Sequence, residues 1–152
     1  MLEATYQQYL RQASLQTAND RISNAIAGLP IFPHYSFDLD ALYGAVDGQK
    51  FSVERPTVKA RYSRKYFGHG NGVVAYTLLC NHVPLQGWLI GAHEFEAHHV
   101  FDIWYRNTSD IMPTAIIGDM HNVNKANFAI RHWFGRRFER RFTDMDEQLK
   151  EL

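Results

Sequence analysis

The feature that most constrains this chain is a succession of four strand-like segments, roughly 42–53, 57–63, 72–81 and 85–91, set apart by polar or glycine-rich punctuation. "GHGNG" and "NHVPLQG" supply the turn chemistry between the later segments, which predicts three or four antiparallel neighbours. In "TVKARYS", Lys59 and Arg61 alternate with Val58, Ala60 and Tyr62, which predicts one basic face and one packing face. The first segment, "LYGAVDGQKFSV", carries Asp47 at its middle. Asp-Gly between apolar residues is by itself a two-residue hairpin signal, because both central positions of a type I′ turn need positive φ. A strand that continued through Asp47 would instead present a carboxylate from its surface.

Helical spacing surrounds these strands. Over 4–29, Leu15, Ala18, Ile22, Ile26 and Leu29 recur at helical intervals, and Gly28, Leu29 and Pro30 end the pattern. From Glu94 to Asn107 the stripe is Ala97, Val100, Phe101 and Trp104. "TAII" reads as a short central parallel strand, buried on both faces, with Asp119 at its carboxyl end. A further helix is predicted with Asn122 or Asn124 as its cap, Ala126, Ile130 and Trp133 facing inward, and Gly135 ending it. This order of elements predicts an α/β, mixed α+β architecture: a mixed sheet flanked by helices and preceded by an N-terminal helix.

With 152 residues, 45% of them hydrophobic, one globular core is expected. The single cysteine, Cys80, excludes a disulfide within the chain and suits a reducing compartment. No apolar run reaches the roughly 18 residues of a membrane span and no secretory pattern opens the sequence, so a cytoplasmic protein is expected. Net charge is zero, yet 12 of the 16 Lys and Arg residues fall in two short stretches, Lys50–Lys65 and Lys125–Arg141. Each stretch holds six basic residues against one glutamate, and the segment between them is acidic. Clustering of this kind suits a polyanion groove, a solvated face being the alternative; on the first reading, modest, sequence-independent DNA contacts are expected through Lys59, Arg61, Lys65, Lys125 and Arg131.

Two aspartates facing one cleft would repel unless cations sat between them, and hard divalent metal resolves that repulsion. Asp119, at a strand's carboxyl end, and Asp47 are the candidates; a helix N-cap is the alternative for Asp119. "HEFEAHH" suggests zinc, but His93 and His98 are five residues apart, about 140° round a helix, and diverge. Glu94, His98 and Asp102 would share a face, more simply a solvated one.

The runs "YGAVDGQKFSVERPTVKARYSRKYFG" and "GVVAYTLLCNHVPLQGWLIGAHEFEAHHVFDIWYRNTSDIMPTAIIGDMHNVNKANFAI" closely resemble the catalytic region of Tn-three-type transposases, which move replicative class II bacterial transposons. The resemblance implies a ribonuclease-H-like fold in which "DGQKF" and "GDMH" bear the first two acidic residues of an Asp, Asp, Glu triad. Asp47 and Asp119 are then the catalytic metal ligands for Mg²⁺, with Mn²⁺ as substitute, and His121 a phosphate contact or ligand-orienting residue. It further implies DNA partners (transposon ends and target), 3′-end cleavage and strand transfer, a homodimeric full-length protein and a nucleoid-associated location. Residues 1–34 become a helical lead-in and 35–152 a partial catalytic domain. Asn122 stands where many relatives have glycine, and no residue matches the triad's glutamate, so the chain by itself is expected to be inactive. The alternatives are a non-catalytic DNA-binding or assembly remnant and a ribonuclease-H-like nuclease.

Overall fold

β1 (Tyr43–Val53) runs unbroken through Asp47 and Gly48, so Asp-Gly makes no turn here. What overrides the local turn preference is pairing along its length: ten residues of β1, Gly44 to Val53, are matched antiparallel by β3 (Asn71–Cys80). The computed structural model describes residues 12–34, 36, 41–55, 57–118 and 125–140. Asp119, His121, Asn122 and Asn124 lie outside the described residues, as does the side chain of Arg131.

β3 turns through Asn81 and His82, both with positive φ (46° and 66°), into β4 (Val83–Gly91), a two-residue hairpin. β5 (Ala115–Gly118) then lies parallel to β1, and β6 (Arg137–Arg140) parallel to β5. The six-stranded mixed sheet has the order β2-β3-β1-β5-β6, with β4 also on β3. β2 is only Arg61–Tyr62, where a strand over 57–63 was expected. Of the predicted packing residues only Ala60 is buried; Val58 and Tyr62 are exposed, so that face is a single residue. β6 escaped prediction because one apolar residue, Phe138, among charged neighbours gives no period to read.

One face of the sheet carries the core. Val46, Val74, Tyr76, Leu78, Cys80 and Ile90 alternate inward and meet Val100, Ile103 and Trp104. The last three come from a 3-10 turn (Glu96–His99) running into a helix, Val100–Tyr105, whose inward stripe of Ala97, Val100 and Trp104 is as predicted. Burial pushes the Cys80 thiol up to about 12, as suits an inert core sulfur. β5 is central, as "TAII" predicts, with Ala115 and Ile116 fully buried.

Numbering helices in chain order, α1 is Gln12–Ala27, α2 Ile31–His34, α3 Arg64–Phe67, α4 Val100–Tyr105 and α5 Lys125–Trp133. Most of the apolar stripe of α1 does not pack, and the inward face predicted for α5 is misplaced. In α1, Leu15 and Ile22 are 52% and 61% exposed, and Ala18 and Leu29 are exposed too; only Ile26 of that stripe reaches the core. The helix instead turns Gln16, Asn19 and Ser23 to β4, whose outer edge has no strand partner among the described residues. Asn19 Nδ2 donates to the Pro84 and Leu85 carbonyls at 2.9 and 3.0 Å, so amide donors cover an edge strand. In α5, Trp133 is 88% exposed, and Ala126 and Ile130 face outward. Asn127 is the buried residue, its Nδ2 donating to the Ala97 carbonyl at 2.7 Å. Gly135 does end the helix, at φ 64°.

Candidate metal and nucleic-acid site

Residues alternate along β1, so Gly44, Val46, Gly48 and Lys50 face the core side while Ala45, Asp47 and Gln49 face the other, where all three are exposed. Asp47 pairs with Thr77 of β3. On its other side the described part of the parallel ladder with β5 runs to Val46 and Gly118. Asp47 follows Val46 directly, next to the carboxyl end of the described part of β5, the region where crevices of α/β sheets form. Asp119 follows Gly118 directly in the chain.

The Asp47 carboxylate is free of ion pairs among the described residues, and its Oδ1 accepts the Gly48 N–H at 2.8 Å. An exposed, anionic oxygen donor with no competing cation fits a hard divalent ion. Beside it, Thr77 and Ala75 floor a groove of about 650 Å³, walled by α1 and β4.

Topology separates the two basic stretches. The first runs from Lys50 on β1 through β2 to α3, and the described part of the second lies in α5 and β6, with β5 between β1 and β6 in the sheet. Lys59 Nζ donates to the Leu89 carbonyl at 2.8 Å and lies 5.3 Å from the Trp88 ring centroid. Arg61 is exposed on β2, its Nε donating to the Val58 carbonyl. Lys65 is exposed on α3 with its ammonium over Tyr66, and Lys125 is exposed at the start of α5. No described contact joins Lys125 to the first group.

Sequence reasoning gave no role to Gly48 or Tyr66 and did not pair Lys50, one of the first basic stretch, with Glu96. Glu96 is 8% exposed and pairs with Lys50 (Oε1 to Nζ, 3.3 Å). The signal was the spacing of Gly48 and Lys50, which puts both on the face opposite Asp47. Glu94 is tied elsewhere: Oε1 accepts the Gly91 N–H at 2.7 Å and Oε2 meets His99 Nε2 at 3.0 Å. Partial burial raises its pKa, but the Gly91 N–H and the charge and hydrogen bond of His99 outweigh this and leave it below the ordinary value. Glu94 lies outside any helix and pairs with His99 rather than His98, so the predicted shared face with His98 and Asp102 does not form. Among the described residues, no three His, Cys, Asp or Glu side chains are grouped to hold a metal.

The class this fold defines is a ribonuclease-H-like α/β domain, its mixed sheet built on an antiparallel β1–β3–β4 unit extended by parallel strands. The chain belongs to the Tn3 transposase DDE domain family, which it matches over residues 1–152. It is 25% identical over 143 residues to the transposase for transposon Tn4556 from Streptomyces fradiae, covering 93% of this chain and 16% of that protein. The chain therefore spans about a sixth of the length of this curated relative. No solved structure matches it. Among the described residues no helix is long and apolar enough to cross a membrane.

Proposed function

We propose that this chain is part of the catalytic domain of a DNA transposase, residues 1–34 leading into residues 35–152, and that Asp47 and Asp119 are its first two metal-binding carboxylates. The observation that carries this reading is the parallel pairing of Val46 with Gly118, the residues that immediately precede Asp47 and Asp119 in the chain. Divalent metal, Mg²⁺ or Mn²⁺ in its stead, would supply activation of an attacking oxygen and neutralisation of charge on the scissile phosphate. The chain's own residues bind and orient. Lys59, Arg61, Lys65, Lys125, Arg131 and His121 contact phosphates of transposon ends and target, fixing position without reading sequence. The complete protein cleaves transposon 3′ ends, joins them to target DNA, and works as a homodimer in the bacterial cytoplasm, at the nucleoid.

The test is an end-cleavage and strand-transfer assay of the full-length transposase containing this region. Asp47→Ala and Asp119→Ala should each abolish both steps while leaving DNA binding in EDTA intact. Activity surviving in either variant would remove that residue from the metal site. A non-catalytic reading of the 152-residue chain has one observation in its favour: among the described residues, no other carboxylate shares the neighbourhood of Asp47.

A further inference from the structure

We propose that Lys50, Lys65 and Tyr66 form a notch that grips one phosphate of the DNA strand, and that Gly48 and Glu96 aim Lys50 into it. This deepens the reading of the chain as DNA-acting and rests on it. The ammonium groups of Lys50 and Lys65 lie 4.6 and 4.9 Å from the centroid of the same ring, Tyr66. Only Lys50 has a carboxylate within ion-pair range among the described residues, and that carboxylate, Glu96, is buried while Lys50 is 30% exposed. The pair thus turns its cationic end to solvent beside a second, unneutralised cation. Two like charges against one ring make a place for an anion with several oxygens, and Lys50 keeps donors to spare after serving Glu96.

An exposed lysine over a tyrosine is common, and alone would mean little. The buried carboxylate is what needs explaining. Removing a charge from water is costly, and an apolar side chain against Gly48 would hold the fold with less penalty. Glu96 reaches Lys50 only because residue 48 has no side chain: a β-carbon there would sit 2.6 Å from Glu96 Cδ. Gly48 and Lys50, on the face opposite Asp47, thus act as one device.

Position fits the site. Three residues of strand, at about 3.4 Å each, put Lys50 about 10 Å beyond Asp47, roughly three nucleotides of rise along a duplex strand. Lys50 and Asp47 stand on one strand, so their separation along it is fixed by the β1 backbone. A backbone phosphate in the notch would set which phosphate lies at Asp47.

The experiment uses the 152-residue chain and a fluorescein-labelled DNA duplex in EDTA, with affinity measured by anisotropy over a series of salt concentrations. Lys50→Ala and Lys65→Ala should each lower the slope of log affinity against log salt by about one, and the double variant should lose less than both together, since they share a phosphate. Arg21→Ala, which removes an equal charge from exposed α1, should leave the slope unchanged. Glu96→Gln separates aiming from bulk charge: it should weaken binding by about threefold or more although it makes the chain more positive. If it tightens binding, Glu96 does not aim Lys50. Because Lys50→Ala strands a buried carboxylate and could unfold the chain, the neutral pair Lys50→Gln/Glu96→Gln is run alongside, with the same loss of slope expected. Wild-type slopes in the lysine variants overturn the notch alone. Failure of the wild-type chain to bind DNA overturns the DNA reading and the notch with it.

Discussion

Glu96 lies directly beneath Gly48: its carboxylate occupies the space a side chain at 48 would need, the nearest approach being 2.6 Å. Gly48→Ala therefore forces Glu96 out of its buried position and breaks the 3.3 Å contact with Lys50. The expected cost is about 1–3 kcal/mol, measured by urea denaturation. In a Glu96→Ala background the same change should cost far less, because the obstructing group is gone. Additive effects in that cycle would show that strand geometry, not Glu96, selects glycine at 48.

The polar cover of β4 makes a second expectation. Asn19→Ala removes the donor that reaches both the Pro84 and Leu85 carbonyls and should destabilise by about 1–2 kcal/mol. Leu15→Ser and Ile22→Ser, at positions more than half exposed, should fall within about 0.5 kcal/mol of wild type. Denaturation midpoints ordered the other way, with the leucine and isoleucine dominant, would restore the apolar stripe as the packing face.

These contrasts show what was legible in the sequence. β1, β3, β4, β5 and the stripe through Ala97, Val100 and Trp104 were readable because apolar alternation or helical spacing there coincides with burial. In α1 two stripes have equally good helical spacing, Leu15 with Ile22 and Gln16 with Asn19 and Ser23. Only a tertiary fact, that the outer edge of β4 has no strand partner among the described residues, decides that the polar one turns inward. Asp47 could be singled out, but its solvent-facing side and its place next to the carboxyl end of the described part of β5 needed the sheet register. The Lys50–Glu96 pair joins residues 46 apart and has no local signature.

Glu94 gives a pH dependence. Its folded pKa lies below the ordinary value of 4.5. The stabilisation from its contacts with Gly91 and His99 is therefore fully present above 4.5 and is lost as pH falls through the lowered folded value. The stability difference between wild type and Glu94→Gln, followed by denaturation from neutral pH downward, should be flat above 4.5 and shrink below it. A difference that stays constant well into the acid range would mean that the Glu94 carboxylate gains nothing from folding.

The last expectation is that the 152-residue chain alone neither cleaves nor joins DNA. A metal held by part of its cage keeps most of its water, and Mg²⁺ dehydrates reluctantly. The described carboxylates do not complete the cage at Asp47. Glu96 sits on the opposite face of β1, bound to Lys50. Glu94 is committed to Gly91 and His99. Glu139 pairs in register with Ile117, which in turn pairs with Ala45. It is thus two strands across and two residues back from Asp47, a Cα separation of about 12 Å from strand rise and spacing. It also hydrogen-bonds with the Tyr43 hydroxyl at 3.4 Å. A reacting group misplaced by even about 1 Å can lose a hundredfold in rate. An assay in Mg²⁺ or Mn²⁺ with pre-cut and uncut transposon ends should therefore show no product from this chain, against activity in the full-length protein. Product from the chain alone that disappears in Asp47→Ala would mean that a third ligand lies within the 152 residues, and Glu139→Gln would be the first variant to examine, since Glu139 and Asp47 share a sheet face.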